Sequence, residues 1–226
     1  MKFFKVILSL YLLSSSVFVA NAQDDDEDDN FKMDPKFSLN VNISLPNAVA
    51  NKPFNSIMKG LVNADLHFKY STKFGLYAGV GYRYLYFDIN EFRTPYRVYG
   101  GMHSHAPFVN IGFEKYLTQR FGIDVHTKIG YSVNQFFSDT LKRTGVKFVN
   151  DQSLYIEPVI GLILATSEHH AYRLNIGYAF QGFGFTLDKI GVMESGGFAA
   201  SEAKRNAQYF NIGFGYTYYF TSKKKR

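Results

Sequence analysis

The sequence predicts an all-β fold, and three observations lead to this prediction. Eight segments of about ten residues carry an apolar side chain at every second position, which is the period of a β-strand. The positions between them hold charged residues, amides and glycines, and the connections are alternately short and long. Together these features predict an eight-stranded antiparallel up-and-down transmembrane β-barrel, with short turns at one end and four long loops at the other. The long loops are expected at roughly 46–60, 88–106, 135–152 and 182–207.

The first four strands show the alternation clearly. They are expected at 36–45, 61–70, 76–87 and 107–117. In the second, Leu66 and Phe68 fall on one face of the strand, and Asp65 and His67 fall on the other. A strand with one apolar face and one charged face separates two environments of opposite polarity.

The last four strands continue the same pattern. They are expected at 121–134, 153–165, 171–181 and 211–220. The fifth is the most regular, because apolar residues occupy nearly every odd position from Phe121 to Val133. Pro158 lies inside the sixth and cannot donate a ladder hydrogen bond, so a bulge or local distortion is expected there.

The polar face of these strands is predicted to line the barrel interior. Eight strands leave an interior just wide enough for side chains, so small residues suit inward positions, and the strand glycines all share the polar face. Four acids and four bases on this face can pair, which a poorly hydrated interior requires. With two histidines they form an expected luminal charge network: Asp65, His67, Lys69, Arg83, Glu114, Asp124, His126, Lys128, Glu157 and Arg173. A soluble barrel would show the reverse arrangement.

The two ends of the chain are predicted to lie outside the barrel. Residues 1–22 have lysines before a short apolar run and small residues at Ala20 and Ala22, as in a cleaved secretory signal peptide. An acidic periplasmic segment is expected at 23–35, the barrel at 36–220 and a basic tail at 221–226. The formal net charge of +6 is dominated by such runs, and nothing in it indicates nucleic-acid binding.

Aromatic residues make up 18% of the chain, and many lie near strand ends. Membrane barrels carry aromatic girdles at both water–lipid interfaces. The residues expected in such girdles are Tyr82, Tyr84, Tyr86, Tyr116, Tyr218 and Phe220.

The last predicted strand carries a motif that points to a family. Asn211, Gly213, Tyr216 and Tyr218 follow the order polar, glycine, aromatic, aromatic of a barrel-assembly signal, and Phe220 extends it. Over nearly its whole length the mature chain resembles small eight-stranded outer-membrane barrels of the OmpA/OmpX type, and its composition is similar to that of Bacteroidota outer-membrane barrel proteins. The resemblance implies an integral outer-membrane location, insertion by the barrel-assembly machinery, and termini on the periplasmic side. Six residues follow Phe220, which departs from the family pattern.

No catalytic residue, metal site or cofactor is predicted. His103 and His105 could ligate a metal from a loop, but no third ligand is visible. The long loop with Arg93, Tyr96, Arg97 and Tyr99 contains residue types common at binding surfaces, and lipopolysaccharide or a protein partner is its expected contact.

The leading hypothesis is therefore a non-enzymatic outer-membrane barrel with a structural or interaction role, such as an accessory subunit of a larger membrane complex. Its expected partners are outer-membrane lipids, the assembly machinery and such a complex. A lipid A-modifying enzyme and a narrow channel remain as alternatives.

Overall fold

The computed structural model describes residues 36–118, 120–192 and 197–220. The predicted signal peptide at 1–22, the acidic segment at 23–35 and the basic tail at 221–226 lie outside these residues. None of the helices in the described part of the chain is long and apolar enough to cross a membrane.

Eight antiparallel strands form one closed barrel in sequential order, so the predicted fold class is confirmed. The last strand pairs with the first, from Phe37 opposite Phe220 to Asn47 opposite Phe210. The strands are β1 (Lys36–Ala50), β2 (Met58–Ser71), β3 (Leu76–Ile89), β4 (Gly100–Tyr116), β5 (Phe121–Ser138), β6 (Val149–Ala165), β7 (His170–Gly184) and β8 (Asn206–Phe220).

The connections differ in length between the two ends of the barrel. At the turn end, strands are joined by the short segments 72–75, 117–120 and 166–169. At the loop end, the connections are 51–57, 90–99, 139–148 and 185–205. Among the described residues, the loop end also holds three short α-helices: α1 (Lys52–Ile57), α2 (Asp139–Arg143) and α3 (Ala200–Ala203). Two 3₁₀ turns, Glu91–Arg93 and Leu187–Ile190, lie in these loops as well.

The exterior of the barrel is apolar and the interior of its turn-side half is polar. Phe214 is 73% exposed and Ile43 is 60% exposed, whereas Arg83 is fully buried. Closure satisfies the backbone hydrogen bonds without leaving a sheet edge. Several inward glycines are required by space: a Cβ on Gly213 would lie 2.3 Å from the backbone oxygen of Ile43 on the neighbouring strand.

The strands are longer at the loop end than the sequence predicted, and the loops are correspondingly shorter. In these extensions the alternation reverses, because apolar residues now point inward and polar residues outward. On β5, Phe136 is buried inside while Gln135 faces out, and on β8 Tyr209 is inside while Gln208 faces out. The predicted long loops at 46–60, 88–106, 135–152 and 182–207 are wrong in their bounds for this reason.

An apolar core fills the interior at the loop end. Phe54 and Ile57 from α1 pack into it from above, and Leu187 and Ile190 enter from the loop between β7 and β8. The ring of Phe54 contacts Phe87 with centroids 4.8 Å apart. This part of the barrel is built like a soluble protein, with its own core and a cap made of loops.

Of the two outcomes predicted at Pro158, the structure shows a local distortion and no bulge. Pairing with β7 is interrupted between Ile156 and Val159, while the register with β5 is unbroken. The expectation for Tyr116 needs correction. Tyr116 is not part of an exterior girdle: it shares the inward parity of Glu114, and its hydroxyl lies 3.0 Å from that of Tyr219.

Candidate functional site

All ten residues of the expected luminal charge network lie inside the barrel and are buried. Alternation along each strand turns them inward, and barrel closure brings together side chains that are far apart in sequence. Apart from Arg83, they form two groups of neighbouring side chains. Burying an unpaired charge here would cost free energy, so the hydrogen-bond and ion-pair partners of each charged side chain are described first.

The first group lies near the turn end and centres on Glu114. Lys69 and Arg173 both contact its carboxylate, and the Tyr219 hydroxyl donates to it at 2.5 Å. Arg173 also contacts Asp124, which accepts a 2.6 Å hydrogen bond from the Tyr77 hydroxyl. Each charge therefore has a charged partner. Glu114, Asp124 and Arg173 also bond to neutral side chains, and Lys69 Nζ lies 4.3 Å from the centroid of the Tyr77 ring, so the group makes a stable plug.

The second group lies in the middle of the barrel around Lys128. Its Nζ lies 2.6 Å from Asp65 Oδ2 and 3.8 Å from Glu157 Oε2. His67 Nδ1 is 2.9 Å from Asp65 Oδ1, and the Asn211 amide donates to Glu157 at 2.6 Å. These contacts tie together side chains from β2, β5, β6 and β8.

Arg83 separates the polar interior from the apolar core above it. Its guanidinium lies 3.7 Å from the centroid of the Tyr155 ring and donates to the Tyr209 hydroxyl. Tyr155 in turn donates to Glu157. An arginine between aromatic rings can satisfy its charge through ring faces as well as hydrogen bonds.

Two His–Asp pairs, His67 with Asp65 and His126 with Asp124, have the residue types of acid–base groups, and both are buried. His126 Nδ1 lies 3.3 Å from Asp124 Oδ2, but its ring nitrogens make no hydrogen bond of good geometry. A cavity of about 20 Å³ lies beside Lys128, Asp65 and Glu157, which is room for about one water molecule. A substrate the size of a lipid could not reach these groups in this conformation. Within the described ranges, no three histidine or carboxylate side chains are placed to hold a metal.

The residues of the expected assembly signal lie on both faces of β8. Asn211 and Gly213 point inward, and Tyr216, Tyr218 and Phe220 point outward at the turn end. Tyr216 bonds to His170, and Tyr218 stacks on His169 with ring centroids 6.1 Å apart. The three aromatic residues thus belong to an aromatic belt around the turn end, and the assembly role of the motif stays a prediction.

The expected loop contacts lie together in the connection between β3 and β4. Arg93, Tyr96, Arg97 and Tyr99 are all exposed there. Glu91 accepts a hydrogen bond from the Tyr99 side chain, and this contact raises the pKa of the tyrosine. The backbone N–H of Tyr99 donates to the Asp139 carboxylate at 3.1 Å, so this loop is braced against the loop between β5 and β6.

His103 and His105 lie on β4 rather than in a loop, because β4 begins at Gly100. Both face the barrel exterior, where Tyr84 and Tyr82 bond to their Nδ1 atoms at 2.8 and 2.7 Å. Sequence reasoning missed these pairs. The alternation of His103 and His105 with Met102 and Ser104 was the signal that could have revealed a strand here.

Comparisons with known proteins detect similarity in structure but not in sequence. No protein-family description and no curated protein sequence matches the chain. Neisserial surface protein A aligns with a TM-score of 0.56 and 10% identity, over 81% of this chain and 97% of that one. The chain has the fold of a small outer-membrane barrel.

Two further solved barrels align with this fold at lower scores. Ail of Yersinia pestis has a TM-score of 0.48 and 10% identity, over 83% of this chain and 100% of that one. The N-terminal barrel domain of Pseudomonas aeruginosa OprF has a TM-score of 0.40 and 11% identity, over 82% of this chain and 99% of that one.

Proposed function

We propose that this chain is an integral outer-membrane barrel with a non-enzymatic structural or interaction role, serving as an accessory subunit of a larger membrane complex. The observation that carries the proposal is the polarity of the barrel wall. An apolar exterior encloses an interior of paired charges, and this arrangement suits a barrel surrounded by hydrocarbon.

The height of the apolar band supports a membrane-spanning position. On the outer face of β5, the residues between Phe121 and Tyr131 are Ile123, Val125, Thr127 and Ile129. Strands rise about 3.4 Å per residue and tilt by roughly 40° in such barrels, so this stretch covers about 25 Å along the barrel axis. That is the height of the hydrocarbon-facing band of outer-membrane barrels.

The filled interior favours an interaction role over a channel or an enzyme. Charged groups occupy the turn-side half, and the apolar core with its loop cap occupies the other half. The His–Asp pairs that could have served as acid–base groups are enclosed by this packing. Binding is therefore expected at the exterior surface, above all at the loops.

The orientation follows from the connections. Outer-membrane barrels have short periplasmic turns and longer extracellular loops, so we assign the turn end to the periplasm. The two ends of the barrel chain, at Lys36 and Phe220, then both lie at the periplasmic side. The loop with Arg93 and Tyr96 faces outward from the cell.

The test combines location with complex formation. Membranes are separated on a density gradient, and the full chain, tagged after Arg226, is followed by its heat-dependent shift on gels. It is then extracted in mild detergent and its native mass is measured. Recovery in the outer-membrane fraction within a complex of defined stoichiometry supports the proposal, and a heat-insensitive soluble chain contradicts the membrane assignment.

A matched pair of variants tests whether the loops hold the complex. Tyr96→Ala with Arg97→Ala removes two exposed loop side chains, while Phe74→Ala removes an exposed ring at the turn end. We expect the loop variant to lose the complex and the turn variant to keep it. A wild-type barrel that is correctly inserted but always monomeric would overturn the subunit role alone.

A further inference from the structure

A continuous strip of rings runs along the outer wall over β3, β4 and β5. We call Tyr82, Tyr84, Tyr86, His103, His105 and Phe137 the Tyr–His strip. Tyr82 and Tyr84 each bond to one of the two histidines, and Tyr86 packs on His103 with ring centroids 5.0 Å apart. Phe137 stacks on His103 at 5.0 Å with an interplanar angle of 10°.

The strip continues upward into a positively charged loop. Phe137 contacts Phe148 with ring centroids 6.3 Å apart, and Lys147 Nζ lies 5.4 Å from the centroid of Phe148. Arg97 lies 5.8 Å over the ring of Phe92 in the neighbouring loop. Ring contacts thus lead from the barrel wall to Lys147, and Arg97 lies over an exposed ring of the adjacent loop.

The two loops above the strip carry more bases than acids. In 90–99 and 139–148 the bases are Arg93, Arg97, Lys142, Arg143 and Lys147, and the acids are Glu91 and Asp139. Asp139 already bonds to the backbone of Tyr99 and lies 3.8 Å from the largely exposed Arg143. Asp88, at the upper end of β3, accepts a hydrogen bond from the Tyr86 hydroxyl and adds a third acid beside the strip. Five bases against three acids still leave net positive charge on this surface, where it attracts an anion.

Below the strip, the wall becomes predominantly apolar. Val80 on β3 pairs with Val109 on β4, which pairs with Ile129 on β5, and all three side chains are exposed. From top to bottom the surface therefore offers cations, hydrogen-bonding rings and a hydrocarbon-facing wall. This order matches an amphiphile with an anionic headgroup.

The two histidines can add hydrogen-bond donors between the cationic loops and the apolar wall. When a tyrosine hydroxyl donates to Nδ1, the other ring nitrogen carries the hydrogen and can donate outward. Nε2 of His103 and of His105 makes no hydrogen bond to the described part of the chain. A phosphate oxygen is a suitable acceptor for such a donor.

We infer that the Tyr–His strip and the cations above it bind the phosphorylated headgroup of an outer-leaflet glycolipid, with Arg97, Lys147 and the two histidines contacting phosphate and Val80, Val109 and Ile129 contacting acyl chains. The inference rests on the proposed outer-membrane location and names a lipid partner for one sector of the barrel. The lipid is chosen over a soluble polyanion because the cations and the apolar wall form one continuous surface.

The experiment measures lipid binding by the purified full chain in detergent micelles, using native mass spectrometry with a bisphosphorylated glycolipid and its dephosphorylated form. Arg97→Gln with Lys147→Gln is compared with Lys204→Gln and Arg205→Gln, which are exposed on the loop that precedes β8, across the barrel from β4. Each headgroup-facing cation removed should weaken binding of the phosphorylated lipid about fivefold. The control pair should bind like wild type, and the dephosphorylated lipid should not distinguish the variants.

A second double variant tests the rings directly. His103→Phe with His105→Phe keeps the aromatic area but removes both outward N–H donors, so binding of the phosphorylated lipid should fall while the heat-dependent gel shift is retained. Equal binding of the phosphorylated lipid by wild type, by the Arg97/Lys147 variant and by the His103/His105 variant overturns the inference. Complete displacement of the lipid by a soluble sugar phosphate overturns the lipid assignment. Absence of the heat-dependent gel shift in the wild-type protein would instead contradict the proposed membrane location.

Discussion

At the residue scale, the side chains of the strands divide by polarity: charged groups lie inside the turn-side half of the barrel, and apolar groups lie on its outer wall. Charges survive inside the barrel because each is surrounded by partners, as Lys128 is by Asp65 and Glu157. Outside, apolar side chains such as Val125 are exposed, as expected for a surface in contact with hydrocarbon. Two substitutions examine these two faces separately.

Val125→Arg places a charge on the hydrocarbon-facing wall. We expect it to lower the free energy of unfolding by about 2–4 kcal/mol, since a cation near the bilayer midplane loses its hydration. Gln135→Arg is the control on the same face of β5, beyond the aromatic residue Tyr131, and should cost about 0–1 kcal/mol. Urea titration of both variants in lipid vesicles makes the comparison. Equal stability of the two would show that the inside–outside assignment is wrong.

Lys128→Met removes the central cation of the polar interior. Because Asp65 and Glu157 would lose their shared partner, the variant should be less stable by about 3–5 kcal/mol. Lys52→Met breaks the exposed ion pair with Glu202 and should leave stability unchanged. Thermal unfolding followed by circular dichroism measures both. A stable Lys128→Met protein would mean that the pairing is dispensable.

At the element scale, the strands serve two environments in succession. Near the turns they have an apolar exterior and polar interior residues, as membrane strands do, and near the loops they are walls around an apolar core. The switch occurs at Arg83, which lies on β3 between Gly81 and the buried Leu85. Strand closure and the loop cap therefore depend on different interactions.

Gly213→Ala tests strand closure. Its new Cβ would meet the backbone of Ile43 and Ser44 at 2.3–2.5 Å, so β1 and β8 would have to separate locally. Overpacking of this kind costs about 1–3 kcal/mol, and the refolded fraction should fall on gels that separate folded from unfolded barrel. Gly122→Ala is the milder control, because its nearest contact is 3.0 Å. A refolded fraction equal to the control would contradict the close approach.

Phe54→Ala tests the loop cap. The ring is fully buried among Phe87, Phe183 and Phe185, so its loss should destabilise the cap by about 3–5 kcal/mol. Hydrogen exchange should then increase in 51–57 and 185–190 but little in the membrane half. Phe92→Ala, at a 76% exposed ring, serves as control. Uniform exchange along every strand would show that the cap and the wall unfold as one unit.

At the scale of the whole molecule, the barrel is a filled cylinder with specialised ends. Paired charges close the turn-side half, and the apolar core closes the loop side. The exterior carries aromatic belts near both ends, with Tyr218 at one and Tyr84 at the other. This packing is consistent with the proposed interaction role at the surface.

The filled interior predicts the absence of ion conduction. Purified wild-type barrel in planar bilayers should give no discrete conductance steps at neutral pH, because the central cavity is only about 20 Å³ and both halves are packed. A porin of known conductance, inserted in the same bilayers, is the control for detection. Stepwise currents that scale with the amount of this chain would revive the channel hypothesis.

The sequence by itself determined the strand number, the inward face and the membership of the charged interior, because alternation with period two is a local property. Only the tertiary structure decided which charges pair: Lys69 with Glu114 and Arg173 with Asp124 meet across the barrel, and their spacing in sequence gives no hint of it. It also revealed the apolar core at the loop end. At that end apolar residues point inward and polar residues point outward. A prediction that expects apolar residues only on the outer face therefore ends the strands too early. The Tyr–His strip was not predicted for the same reason. The sequence placed His103 and His105 in a loop, whereas β4 begins at Gly100 and includes both.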